Sequence, residues 1–266
     1  MAVIDFRPSV RRRISATAWY VVAIALALWI GLSANWEMVR TQFANVQIAK
    51  ELWPDIVVIA MWNTIWYTVV SFVVGTVLAT LLALMKMSSG PPKWFATGFI
   101  ELFRGLPVIL TLFTFGYVVP IAFDGLKIPG GATGAGLVGL TIVTAAYSAE
   151  VIRAGIAAVP QGQREAAASL GMPNGVTNLW IVLPQAFRIV LPPMTNEFVT
   201  LLKDTSLLYV LGTTIASREL ASFSRSWLNY YGNATPLVLT ALCYLIITIP
   251  LTWFAAHLEK KYAVKK

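Results

Sequence analysis

Six polar side chains stand where apolar sequence surrounds them. Arg104 lies in Glu101-Leu-Phe-Arg-Gly-Leu-Pro107, Glu150 in Tyr147-Ser-Ala-Glu-Val-Ile-Arg153, and Asn196, Glu197, Lys203 and Asp204 follow the double proline Pro192-Pro193. Charge near a membrane interior is costly and tends to serve a pathway. Arg104, Glu150, Lys203 and Asp204, with Asn196 and Glu197 as polar neighbours, are therefore candidates for a substrate path. The competing reading places Arg104, Glu150, Arg153 and Lys203 at helix ends, where they snorkel or pair structurally. Other chemistry lacks its residues. A single histidine, His257, and a single cysteine, Cys243, leave no metal site, catalytic dyad or intrachain disulfide to build. No Gly-Lys-Ser or Gly-Lys-Thr occurs, so a phosphate-binding loop is missing and any ATP hydrolysis falls to a partner.

The segments that must position these side chains are membrane helices. Hydrophobic residues make up 58% of the chain and charged ones 12%, about half the usual charged share of a soluble domain, which sets the class as all-α integral membrane. Six spans are expected: Ile14 to Trp36, Ile56 to Met85, about Trp94 to Pro120, a fourth holding Gly134, Gly136, Gly139, Ala145, Ala146 and Ala149, about Ala186 to Leu202, and Pro236 to Ala256. Small residues in the fourth let helices approach closely, so it is packed rather than lipid-facing all round. The fifth, with two prolines and an Asn-Glu pair, is expected to be broken. Residues 37 to 55 read as an external loop or interfacial helix. A cleaved signal peptide is the rival reading of the first segment, but its candidate cleavage site around Leu32-Ser-Ala34 is poor. Residues 1–55 thus form a basic start, an extra helix and a loop, 56–256 the main domain, and 257–266 a basic tail.

The formal charge of +8 is mostly topology rather than a nucleic-acid surface. With both termini inside, the arginines of residues 7–13, Lys86, Lys93, Arg153, Arg164, Arg188 and the four lysines after Glu259 face the cytoplasm, thirteen of the twenty cations; Arg40, Lys50, Lys127, Arg218 and Arg225 fall outside. That bias satisfies the positive-inside rule.

The same orientation puts one further stretch, not used in the count, on the cytoplasmic side. Pro160-Gln-Gly-Gln-Arg-Glu165 leads into Ala166-Ala-Ala-Ser-Leu-Gly171, and Met172-Pro-Asn-Gly175 separates it from Val176 to Leu183 and Pro184. An alanine run favours helix, expected to start near Gln163, and Gly171 suits the left-handed residue that ends one. The result is a helix-turn-helix elbow over residues 160–184, shaped to sit in a groove of a soluble partner.

The spacing Glu165-Ala-Ala, three residues, Gly171, nine residues, Ile181-Val-Leu-Pro184 resembles the cytoplasmic coupling loop of ATP-binding-cassette (ABC) importer permeases. Phe103-Arg-Gly-Leu-Pro107, Ala149-Glu-Val-Ile-Arg-Ala-Gly155, Pro160-Gln-Gly-Gln163, Leu202-Lys-Asp-Thr-Ser-Leu207 and Asn63-Thr64 are similar to the polar amino-acid branch, in the expected order, over about residues 60 to 256. Leu106 departs from the threonine common in that branch. The resemblance implies the type I importer fold, five core helices with the N-terminal helix added, in a bacterial plasma membrane. It also implies two permease subunits, identical or homologous, two cytoplasmic ATPases holding ATP and Mg, and an external amino-acid-binding protein that delivers a polar amino acid; no cofactor is bound by this chain itself. Within the elbow it assigns Glu165 to the groove rim, Ala166 and Ala167 to close packing, Gly171 to the turn, and Gly162 and Pro184 to the same ATPase-coupling set. The rival class is an ATP-independent secondary transporter or channel, for which no internal repeat is found; a membrane-bound enzyme lacks Gly-x-Ser-x-Gly and His-Glu-x-x-His.

Overall fold

The computed structural model describes residues 8–123, 125 and 128–262, with side chains from residue 17 onward. The cations Arg7, Lys127, Lys265 and Lys266, and the side chains of Arg11, Arg12 and Arg13, lie outside the described residues. Every regular element described is helical.

Helix α1 spans Pro8–Ser33, α2 Trp36–Phe43 and α3 Val46–Asp55. Asn35 and Asn45 cap the last two: their side-chain oxygens accept from the amides of Met38, and of Gln47 and Ile48, which the first turn of a helix leaves without partners. Residues 37 to 55 are therefore two short helices. Pro54 cannot donate to the helical ladder, and a π-helical turn over Ile56–Met61 follows it before α4, Trp62–Met87. Gly90 at φ 74° and the pair Pro91-Pro92 then start α5, Pro91–Gly105.

The helix expected from Trp94 to Pro120 is two helices. Leu106 is extended because a residue before proline is pushed out of the α region, and α5 meets the next helix at 109°. That second arm comprises α6, Val108–Phe113, a π turn over Thr114–Val118, and α7, Val119–Ala122. Helix α8, Gly131–Ala157, buries Gly136, Gly139, Ala145, Ala146 and Ala149, the packed span expected from its small residues. Its Thr144 lies against Gly75 of α4, and Glu150 meets Lys86, so the two helices advance together and run parallel.

Helices α9, Gln161–Ser169, and α10, Asn174–Thr177, form the elbow, and a π turn over Asn178–Val182 feeds into α11, Leu183–Asp204. Expected to be broken, α11 instead runs continuously through Pro192 and Pro193, leaving the carbonyls of Arg188 and Ile189 without their usual helical donors. Two 3₁₀ segments, Thr205–Leu211 and Ile215–Ser217, precede α12, Leu220–Tyr231, and α13, Thr235–Tyr262, closes the fold.

By length and composition, three described stretches can cross a membrane: Trp36–Met87, α8 and α13, with the bent pair of α5 and α6–α7 as a fourth if it counts as one broken span. The core lies where α4, α8 and α11 meet. One cluster joins Ala79, Leu82 and Ala83 of α4 to Ala96 and Ile100 of α5 and Ala145 and Ala149 of α8; another joins Tyr67, Leu112, Leu140, Leu201 and Leu208.

Candidate functional site

The elbow is fixed from within. Helix α9 begins two residues earlier than expected, directly after the extended Pro160, and the Gln163 amide donates to the Pro160 carbonyl at 3.0 Å. At its far end Gly171 takes φ 74°, its amide donates to the Ala168 carbonyl at 2.9 Å and the Met172 amide to the Ala167 carbonyl at 3.1 Å. This is a Schellman closure, and it satisfies carbonyls that the helix end would orphan. Across the bend, Arg164 donates to Asn178 Oδ1 at 3.0 Å, and Gln185 donates to Gln163 Oε1 at 3.4 Å.

The candidate residues of this loop part company by side. Ala167 is buried, whereas Glu165, Ala166, Gly162, Gly171 and Pro184 are exposed, Pro184 in the first turn of α11. Ala167 therefore holds the elbow to its own chain while Glu165 and Ala166 face outward. Sequence reasoning missed a set of exposed apolar side chains on the same elbow: Leu170 at 81% exposure, Trp180 at 72% and Leu179 at 58%. Leu170 adjoins the Gly171 turn, and Leu179 and Trp180 fall in the π turn, where helical periodicity does not report which way they face.

The intramembrane candidates divide into three groups. Arg104, Glu197, Lys203 and Asp204 form one electrostatic neighbourhood: Glu197 feels the charges of both Asp204 and Arg104, and Asp204 that of Lys203. The bend after Gly105 brings Arg104 there. Its guanidinium lies 5.6 Å from the ring centre of Tyr147, and the Tyr147 hydroxyl donates to the Arg104 carbonyl at 3.3 Å. Tyr147 of α8 is thus a third element at this cluster, which sequence reasoning left unassigned. Glu150 takes other partners, Lys86 at 3.1 Å and the guanidinium of Arg153 at 3.0 Å. Asn196 donates to Glu259 of α13 at 2.9 Å. Among the described residues, no group of His, Cys, Asp and Glu could hold a metal ion.

Comparison with known proteins gives this geometry a context. Residues 75–264 match the family of binding-protein-dependent transport system inner membrane components. The chain belongs to this family. It is 40% identical over 171 residues to the probable glutamine ABC transporter permease protein GlnM of Bacillus subtilis (strain 168), which covers 64% of this chain and 76% of that protein. It is 34% identical over 180 residues to the arginine transport system permease protein ArtQ of the same organism, covering 67% and 80%. A crystal structure of an amino acid ABC transporter with histidines superposes with a TM-score of 0.71 at 32% identity, over 79% of this chain and 95% of that one. The inward-facing MetNI methionine ABC transporter, at 20% identity and a TM-score of 0.61 over 76% and 94%, shares the fold.

The resemblance read from Glu165 to Pro184 thus holds at the level of the family. As a membrane permease component of this family, the chain has both the elbow and the Arg104 cluster within the matched region, while α1 to α3 precede it.

Proposed function

We propose that this chain is one of a pair of permease subunits, identical or homologous, in an importer driven by ATP that carries a polar amino acid. The observation that carries the proposal is the two-sided elbow. Ala167 anchors it to the permease, while Glu165, Ala166, Leu170 and Trp180 offer a rigid surface, part polar and part apolar, to a groove on a cytoplasmic ATPase. ATP and Mg bind on that partner, because this chain has no phosphate-binding loop. Six spans with both termini in the cytoplasm complete the reading: the described stretch Thr17–Ser33 is apolar and supplies most of the first, the bent α5–α7 pair the third, and α11 the fifth.

The substrate path runs by Arg104, Glu197, Lys203 and Asp204, where both signs meet as an ammonium and a carboxylate require. Arg104, turned by the bend at Pro107 and steadied by Tyr147, suits the carboxylate end. Glu197 and Asp204 suit the ammonium. Glu150 and Asn196, already engaged with other residues, fall outside the path. An external binding protein delivers the amino acid, and closure of the ATPases moves the elbows and with them the helices that open the path to one side or the other.

The test is reconstitution with the partner ATPase in liposomes, with and without the external binding protein, across a panel of amino acids. Stimulation of ATPase activity by one loaded binding protein, accompanied by uptake, is the expected result. A permease that holds no ATPase, or uptake indifferent to ATP and to orthovanadate, would replace this proposal with the secondary-transporter reading.

A further inference from the structure

The ion pairs found between described side chains share one carboxylate. Glu150 Oε2 lies 3.1 Å from Lys86 Nζ, and Arg153 donates to the same carboxylate through Nε at 3.0 and 3.1 Å and through a terminal guanidinium nitrogen. The two cations differ in what they join. Arg153 sits three residues along the same helix and ties α8 only to itself, whereas Lys86 belongs to the last turn of α4. The Lys86 bond is therefore the one that holds two helices.

Its position gives it a consequence. Glu150 lies two turns before the end of α8 at Ala157, and α9 starts at Gln161, so the ion pair stands directly between the elbow and the transmembrane body. Behind it, Ala79 and Ala83 of α4 and Ala145 and Ala149 of α8, all fully buried, share one cluster with Ala96 and Ile100 of α5. Small residues let the helices approach closely here, Leu82 packs into the same face, and farther from the elbow Thr144 lies against Gly75 and Tyr67 shares a cluster with Leu140. These contacts are nonpolar, and packed helices can move by small sliding displacements, so the ion pair is the charged tie between α4 and α8 at the elbow end. The three side chains are 19% to 34% exposed, so the charges act in a medium less screened than water.

Building on the importer reading above, we infer that Glu150 and Lys86 are positioning residues that lock α4 to the elbow end of α8, so that elbow movement displaces both helices together. The ion pair then makes no contact with the amino acid. Its loss lets the ATPases move the elbow while α4 lags, and hydrolysis proceeds without matching transport.

The measurement is the number of ATP molecules hydrolysed per amino acid imported, with the permease, its ATPase and its binding protein in liposomes. Lys86→Met should raise that ratio about fivefold or more, the scale of a coupling of a kcal/mol or so. Lys86→Arg should return it to the wild-type value, and Arg153→Met should leave it within about twofold, because that variant spares the bond between helices. A purely structural ion pair would lower assembled complex while keeping the ratio constant, and an unchanged ratio in assembled Lys86→Met overturns the inference. Should that variant fail to assemble, Glu150→Gln, which keeps the side-chain shape, is read in the same way: a raised ratio supports the lock and a constant one overturns it. No ATP-driven uptake by the wild type would remove the importer reading itself, a failure distinct from a working wild type with an unaffected variant.

Discussion

The amide of Met172 donates to the carbonyl of Ala167 at 3.1 Å, so the residue that anchors the elbow to the permease also receives the bond that closes its first helix. Gly171, between them at φ 74°, makes this possible. A side chain there costs about 1–2 kcal/mol in the left-handed region, and asparagine tolerates that region better than alanine or valine. Gly171→Val is expected to reduce ATPase retention on the purified permease markedly and Gly171→Asn only slightly. Equal retention in both variants would mean that the closure plays no part in docking.

The neighbouring alanines separate folding from docking. Ala167 is buried, so Ala167→Trp overpacks the elbow, a strain of about 1–3 kcal/mol or more. Hydrolysis should be uncoupled from transport and the melting temperature lowered. Ala166 is exposed, and Ala166→Trp should leave the melting temperature of the isolated permease unchanged while weakening its hold on the ATPase. Melting in detergent and ATPase pull-down, measured on both variants, check the assignment; normal assembly and uptake in Ala167→Trp would refute its half.

Much of this was legible beforehand because it depends on local chemistry. The alanine run, Gly171 and the Pro-Asn-Gly turn dictate a helix, a left-handed stop and a bend, and each is where the residues require it. Pro107 marks the break between α5 and α6, but a single span from Trp94 to Pro120 is expected across it, because composition alone does not say how far a chain turns at an extended residue. Continuity of α11 through Pro192 and Pro193 was not legible, since the packing that tolerates unbonded carbonyls lies in α4, α8 and α13. The charged candidates show the same limit. Nothing local in the sequence separates Glu150, claimed by Lys86 from a helix 64 residues away, from Glu197, which shares the neighbourhood of Arg104.

Below the ion pair, α8 and α11 cross at Gly155. A methyl group added there would lie 2.1 Å from Val190 Cγ2, and valine has little rotamer freedom with which to retreat. Gly155→Ala is expected to destabilise by about 1–3 kcal/mol, and Val190→Ala to restore part of that loss in the double variant. Thermal melting of the four proteins closes the cycle. Additive effects would show that the crossing is looser than it appears.

Glu219, fully buried at the start of α12, provides a dependence on pH. Burial pushes its carboxyl up to about 7, against the amides of Ala221 and Ser222 and the Ser222 hydroxyl, which donate to it and favour the charged form. The folded state therefore binds this proton more tightly than the unfolded one. The resulting stability is present in full below the ordinary value of 4.5 and is lost as pH rises through about 7, a change on the order of 3 kcal/mol. Wild type should lose more stability between pH 5 and pH 8 than Glu219→Gln. Parallel curves for the two proteins would exclude a raised carboxyl at this position.

The most direct test of the elbow as the contact with the ATPase uses the single native thiol. Cys243 is buried, and replacing it by alanine frees the chain for one introduced cysteine at Leu170, the most exposed large apolar side chain of the elbow. Leu170→Cys should react with a membrane-impermeant maleimide in inside-out vesicles but not in right-side-out ones. It should be protected when ATPase is bound and form a thiol cross-link to that subunit. Reaction from the outer face, or full reactivity with the ATPase in place, would contradict the account.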